Sequence, residues 1–128
     1  MSVVAKITRD VISANNQDYL HEEIGARIVF EGIVRSQEGE RIIDGLDYEA
    51  YEGMALKKLQ TIGEQLLEKH KVESLAVIHR IGFVPVGEVS LLLVIQSRHR
   101  KEAFVCCDEF INELKKDVPI WKAVGENE

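Results

Sequence analysis

The stretch Val89-Ser90-Leu91-Leu92-Leu93-Val94-Ile95-Gln96-Ser97-Arg98-His99-Arg100-Lys101-Glu102-Ala103-Phe104 turns from a strand pattern to a helix pattern within a few residues. From Val89 to Gln96 it is apolar on both faces, which predicts a central strand covered on both sides. From Arg100 to Lys116 the apolar residues Ala103, Phe104, Cys107, Phe110, Ile111 and Leu114 recur at helical spacing and predict an amphipathic helix. Pro119 follows the end of that helix, and a short segment from Ile120 to Val124 closes the chain.

Working back toward the N-terminus, Glu73 to Gly82 reads as a strand, with Pro85 and Gly87 marking a turn after it. Gly53 opens a long helix whose stripe is Ala55/Leu56, Leu59, Ile62/Gly63 and Leu66/Leu67, ending near His70-Lys71. Ile42 to Tyr51 reads as a strand, with Leu46, Tyr48 and Ala50 alternating against Asp47, Glu49 and Tyr51. Ser36 to Arg41 is polar, contains Gly39 and predicts an exposed loop. Arg27 to Arg35 predicts a strand with Ile28, Phe30 and Val34 on one face, and Gly32 marks a bulge or close approach. Asn15 to Ile24 is helix-compatible over one or two turns, and Val3 to Thr8 reads as a first strand. Paired strands interleaved with two long helices predict an α+β domain with a mixed or antiparallel sheet. The strands lie too close together for repeated βαβ crossovers.

A length of 128 residues, 45% of them hydrophobic, suits one domain over 1–128 with a substantial core. Lys and Arg number 16 against 22 Asp and Glu, for a net charge of −6. Such a surface disfavours general nucleic-acid binding but leaves room for a local basic pocket. Lys6 and Arg9-Asp10 interrupt any apolar signal core, and the longest aliphatic run, Leu91 to Ile95, is too short to span a bilayer. The expectation is a soluble cytoplasmic protein. Cys106 and Cys107 are adjacent, so they project about 100° apart on a helix and do not form a CxxC redox or metal spacing. No GxGxxG, P-loop, HExxH or GxSxG pattern occurs.

What stands out is Ser97-Arg98-His99-Arg100-Lys101, a cationic run in an acidic chain. It falls where the central strand gives way to a helix N-terminus, a place that favours an anion. A solvated charge run is an equally good account of it. Helix geometry places Lys115 at the edge of the apolar stripe, about 20° past Phe104, and Lys116 about 120° past it, in solvent. An edge lysine can lay its stem on the core and hold its ammonium in a cleft, although simple snorkelling is the commoner case. Trp121, the only tryptophan, sits beside Lys122, and Arg35 ends a strand.

Taken together, five ordered blocks are specific. They are Phe30-Glu31-Gly32-Ile33-Val34-Arg35, Leu46 to Ala55 (LDYEAYEGMA), Val77-Ile78-His79-Arg80-Ile81-Gly82, His99 to Phe104 (HRKEAF) and Leu114 to Lys122 (LKKDVPIWK). From about Ala26 to Lys122 the chain resembles the catalytic (large) subunit of molybdopterin synthase, the MoaE family. That resemblance implies an α/β-hammerhead-type α+β fold and a homodimer, with each protomer binding a small ubiquitin-like sulfur carrier, MoaD, in a heterotetramer. It implies sulfur transfer from the carrier's C-terminal Gly-Gly thiocarboxylate to cyclic pyranopterin monophosphate, forming the dithiolene of molybdopterin with no metal or separate cofactor.

By the same resemblance, Lys115 and Lys122 match the catalytic lysines, while Arg35, His99 and Arg100 bind the substrate phosphate or pterin and the carrier terminus. All five are expected to converge on one pocket. Such cations suit the negatively charged intermediates of thioacid chemistry. Arg98 and Lys101 are expected to be peripheral and Lys116 dispensable. After Trp121-Lys122 the chain departs from the family pattern: Ala123-Val124-Gly125 stand where a basic residue and Glu are usual, and the chain stops early. Two other readings compete. One is a non-catalytic paralogue that only binds the sulfur carrier, and the other is an unrelated anion-binding regulatory domain.

Overall fold

Val89–Ser97 forms strand β8, and it is central, as its two apolar faces predict. The computed structural model describes residues 2–13 and 22–123. In chain order these form β1 (Ser2–Thr8), β2 (Ala26–Ile33), β3 (Gln37–Glu38), β4 (Arg41–Ile42), β5 (Gly45–Ala50), α1 (Glu52–His70), β6 (Ser74–Arg80), β7 (Gly82–Pro85), β8, α2 (Arg100–Asp117) and β9 (Ile120–Ala123). The fold is α+β. The main sheet runs β1-β6-β8-β2, with β1 parallel to β6 and the other pairs antiparallel. A second sheet, β7-β5-β9, and the hairpin β3-β4 complete it.

Both faces of the main sheet are covered, which is why β8 needs apolar residues at every position. Leu91, Leu93 and Ile95 pack with Leu75 and Val77 against α1 and α2. Leu92 and Val94 face the other way, against Ile12, Ala76, Ile78 and Val89. Helix α1 approaches β1 closely at Gly63, where a Cβ would lie 2.6 Å from Val3 Cγ1. The chain leaves α1 through Lys71 in the left-handed conformation, φ 58°, its N–H donating to the Leu67 carbonyl.

Several expectations change. Ser36 to Arg41 is not a plain loop: with Ile42 it forms the β3-β4 hairpin, turned at Gly39 with φ 63°. Strand β2 slips register between Gly32 and Ile33, so the bulge expected at Gly32 is present. That slip carries Val34 into a separate cluster with Ile43, Leu46 and Val84, away from Ile28 and Phe30. Beyond β6 the chain adds the strand β7 before the turn at Gly87. The buried stripe of α2 is rotated from the expected one. Cys106 joins it fully buried, while Phe104 is 57% exposed. Leu56 is likewise exposed on α1. The helical turns expected over 15–24 lie mostly outside the described residues, and 22–24 are turn and coil. Among the described residues no helix is long and apolar enough to cross a membrane.

Candidate functional site

Helix α2 carries Arg100 and Lys115 at its two ends, with His99 as its N-cap, and each end borders its own cavity. At the C-terminal end the helix stops at Asp117, and Val118-Pro119 turn the chain into β9. Strand β9 pairs antiparallel with β5, setting Lys122 opposite Tyr48 and Ile120 opposite Ala50. This return brings Lys122 to the same cavity as Lys115. The cavity is about 400 Å³ and is also lined by Tyr48, His79, Phe30 and Trp121. The Trp121 indole packs edge-on against the Tyr51 ring at 5.1 Å, anchoring β9.

Lys122 is not a free cation. Its Nζ donates to Glu38 Oε2 at 2.9 Å, tying β9 to the β3-β4 hairpin. That hydrogen bond, aided by the charges of Lys122, Arg35 and Arg41, holds the Glu38 carboxyl below the usual range. Arg35 therefore sits near the Lys122 end through their shared neighbour, Glu38.

His79 is a member of this cavity that sequence reasoning did not single out. It is only 5% exposed. Its Nδ1–H donates to the Arg80 carbonyl at 2.9 Å, which requires the Nδ1-protonated tautomer because a carbonyl can only accept. Its ring meets Tyr48 edge-on with centroids 5.3 Å apart. The signal was present in the alternation of β6: Leu75, Val77 and His79 fall on the helix-facing side, and a histidine stands where an aliphatic residue would serve the core.

The N-terminal end of α2 is a separate place. His99 and Arg100 line a second cavity of about 690 Å³ with Arg98, Lys101, Phe104 and Gly25. At 1.5 Å per residue, His99 and Lys115 are about 24 Å apart along the axis. Within one chain, then, Lys115 and Lys122 share a cavity, Arg35 stands near it, and His99 with Arg100 lie at the far end of α2. The cationic run is also partly neutralised by acids, two of them distant in sequence. Arg98 pairs with Glu23 and, at 3.7 Å, with Glu73, while His99 lies 3.5 Å from Glu102. The cost of placing cations at a helix N-terminus is thus met in part without a bound anion.

The cysteines take no part in either cavity. Both are free and buried on α2. Burial, reinforced by Cys107 and Glu109, pushes the Cys106 thiol up to about 12, so it stays protonated and inert at neutral pH.

Residues 6–117 match the family model described as MoaE protein. The chain is 39% identical over 98 residues to the molybdopterin synthase catalytic subunit of Pyrococcus abyssi, covering 77% of this chain and 66% of that protein. It spans 50% and 48% of the length of two further relatives with the same name, from Sclerotinia sclerotiorum and Neurospora crassa. The fold superposes on molybdopterin synthase from Staphylococcus aureus with a TM-score of 0.85 and 32% identity, covering 94% of this chain and 91% of that one. It also superposes on a chain from the complex of subunits 1 and 2 of molybdopterin-converting factor from Helicobacter pylori, with a TM-score of 0.66 and 32% identity over 79% of this chain and 66% of that one. With the family model matched over most of its length and the fold shared with solved members, the chain belongs to the MoaE family.

Proposed function

We propose that this chain is the catalytic subunit of a molybdopterin synthase, a cytoplasmic sulfurtransferase acting as one domain. It takes sulfur from the C-terminal thiocarboxylate of a small MoaD-like carrier and delivers it to cyclic pyranopterin monophosphate, building the dithiolene of molybdopterin. The observation that carries this reading is the shared cavity of Lys115 and Lys122, two cations from different elements at one partly apolar cavity. Thioacid attack develops negative charge on oxygen and sulfur, and fixed cations in a partly desolvated cavity stabilise that charge where it forms. Lys115 and Lys122 act as charge stabilisers and proton donors, and Arg35 as a phosphate or carboxylate ligand.

His99 and Arg100 belong to the same reaction through a homodimer. Both ends of α2 belong to one rigid helix, so a single copy cannot fold them together, whereas a second copy can bring its N-terminal end to the first copy's lysines. The exposed apolar residues Phe104 and Val105 beside His99 and Arg100 favour such a contact. With one carrier per protomer the assembly is a heterotetramer. Incubating the protein with thiocarboxylated carrier and pyranopterin substrate tests the proposal: dithiolene formation supports it. Carrier capture without product would point to the non-catalytic paralogue, and failure of both would overturn the proposal.

A further inference from the structure

His79 is polar in a place built for an apolar side chain, and only half of its hydrogen-bonding capacity is used. Nδ1–H is committed to the Arg80 carbonyl. Nε2 has no hydrogen-bond partner among the described residues, yet it is not among the polar atoms sealed in the interior. The side chain lines the Lys115–Lys122 cavity. With Nδ1 protonated, Nε2 carries a lone pair and can only accept.

We propose that His79 is a binding residue of this cavity, its Nε2 accepting a hydrogen bond from an N–H or O–H of an anionic ligand such as a pterin phosphate. The inference rests on the reading that this cavity receives the pterin substrate. The two lysines recognise the charge of the ligand, and the neutral imidazole recognises a donor on its uncharged part. A ligand presenting a lone pair at that point is rejected, because two acceptors face each other.

The surroundings keep the imidazole neutral. Burial lowers its pKa below the ordinary value, against a smaller opposing effect of the Arg80 hydrogen bond. The charged or titratable groups lining the same cavity are Lys115 from α2, Lys122 from β9 and the Tyr48 phenol from β5.

Two measurements test this. In the first, 15N spectra of the histidine rings are recorded on the wild-type protein while a stable 6-substituted pterin monophosphate is added. The expected result is an upfield move of the His79 Nε2 resonance with Nδ1 staying protonated. An Nε2 resonance unmoved at any concentration of the probe, or an Nδ1 that loses its proton, overturns the proposal. The second uses the complex with thiocarboxylated carrier. His79→Phe should raise KM for the pterin about 5- to 10-fold with little change in kcat, and His79→Gln, which keeps an acceptor, should recover most of the loss. Equal KM for wild type and His79→Phe overturns the proposal, with thermal melting confirming that both variants fold. If the wild-type complex makes no dithiolene, the functional reading falls by itself and the ring spectra still decide the role of His79.

Discussion

The Lys122 ammonium and the Glu38 carboxylate meet at 2.9 Å across 84 residues of sequence. The contact joins the last strand to a two-residue-per-arm hairpin and occupies a lysine of the cavity with an internal anion. Both groups remain substantially solvent-exposed, so the pair is stabilising by only about 0–1 kcal/mol and is readily exchanged for another anion.

Glu38→Gln should therefore leave folding almost unchanged and improve binding of anionic ligands. Removing a competing carboxylate worth up to ~1 kcal/mol corresponds to a gain of up to about 5-fold in affinity. Calorimetry with a pterin monophosphate checks this, and an unchanged or weaker affinity would show that Glu38 does not compete.

Lys115→Ala should abolish most dithiolene formation, lowering kcat by about 10²–10³-fold, the scale of losing one preorganised charge stabiliser. Stability should change by no more than ~0.5 kcal/mol because the side chain is exposed. Lys116→Ala, one residue on and outside the cavity, is the control and should retain full activity.

The dimer can be tested by complementation. Lys115→Ala and Arg100→Ala are each expected to be inactive alone. If one copy supplies Lys115 and the other Arg100, a mixed dimer of the two contains one intact site and one doubly defective site. Random mixing should then restore about a quarter of wild-type activity. Recovery absent from verified mixed dimers would mean that each site is built within one chain.

His79 makes stability depend on pH. Its folded pKa is below the unfolded value of 6.5, so the unfolded chain takes up the proton first as pH falls. Stability is full above 6.5 and declines as pH drops from 6.5 toward the folded pKa, by up to ~1.4 kcal/mol per pH unit for this group. Glu38 and Glu109, whose pKa values are lowered by their partners, act in a separate window: their contribution is present above 4.5 and is lost as pH falls below it. Urea unfolding at a series of pH values should show the decline in wild type and a flatter profile just below 6.5 in His79→Gln.

Lys71→Gly should stabilise the protein by about 1 kcal/mol. Lys71 holds the left-handed conformation that ends α1, and a side chain there costs ~1 kcal/mol that glycine avoids. A higher urea midpoint at unchanged slope checks it.

Much of the fold was legible because it follows from local periodicity. The apolar run from Val89 to Gln96 specified a strand covered on both faces, and the 3.6-residue stripes of α1 and α2 specified helices on a sheet. Errors arose where a local rule met a tertiary exception. Val34 changed core because a bulge at Gly32 shifts the alternation by one residue. Phe104 was counted with the stripe, but its angle lies at the edge of the helix face that the sheet covers, and Cys106 takes the opposite edge.

For the site, the sequence by itself determined the residue types, the family and the distance between the two ends of α2, since a helix rises by a constant amount per residue. Only the tertiary structure decided which groups share a cavity. The return of β9 beside β5 delivers Lys122 to Lys115, the hairpin delivers Glu38 to Lys122, and the main sheet delivers His79 beneath α2. These are contacts between segments far apart in the chain. They depend on strand pairing and on how the layers stack, which no local pattern encodes.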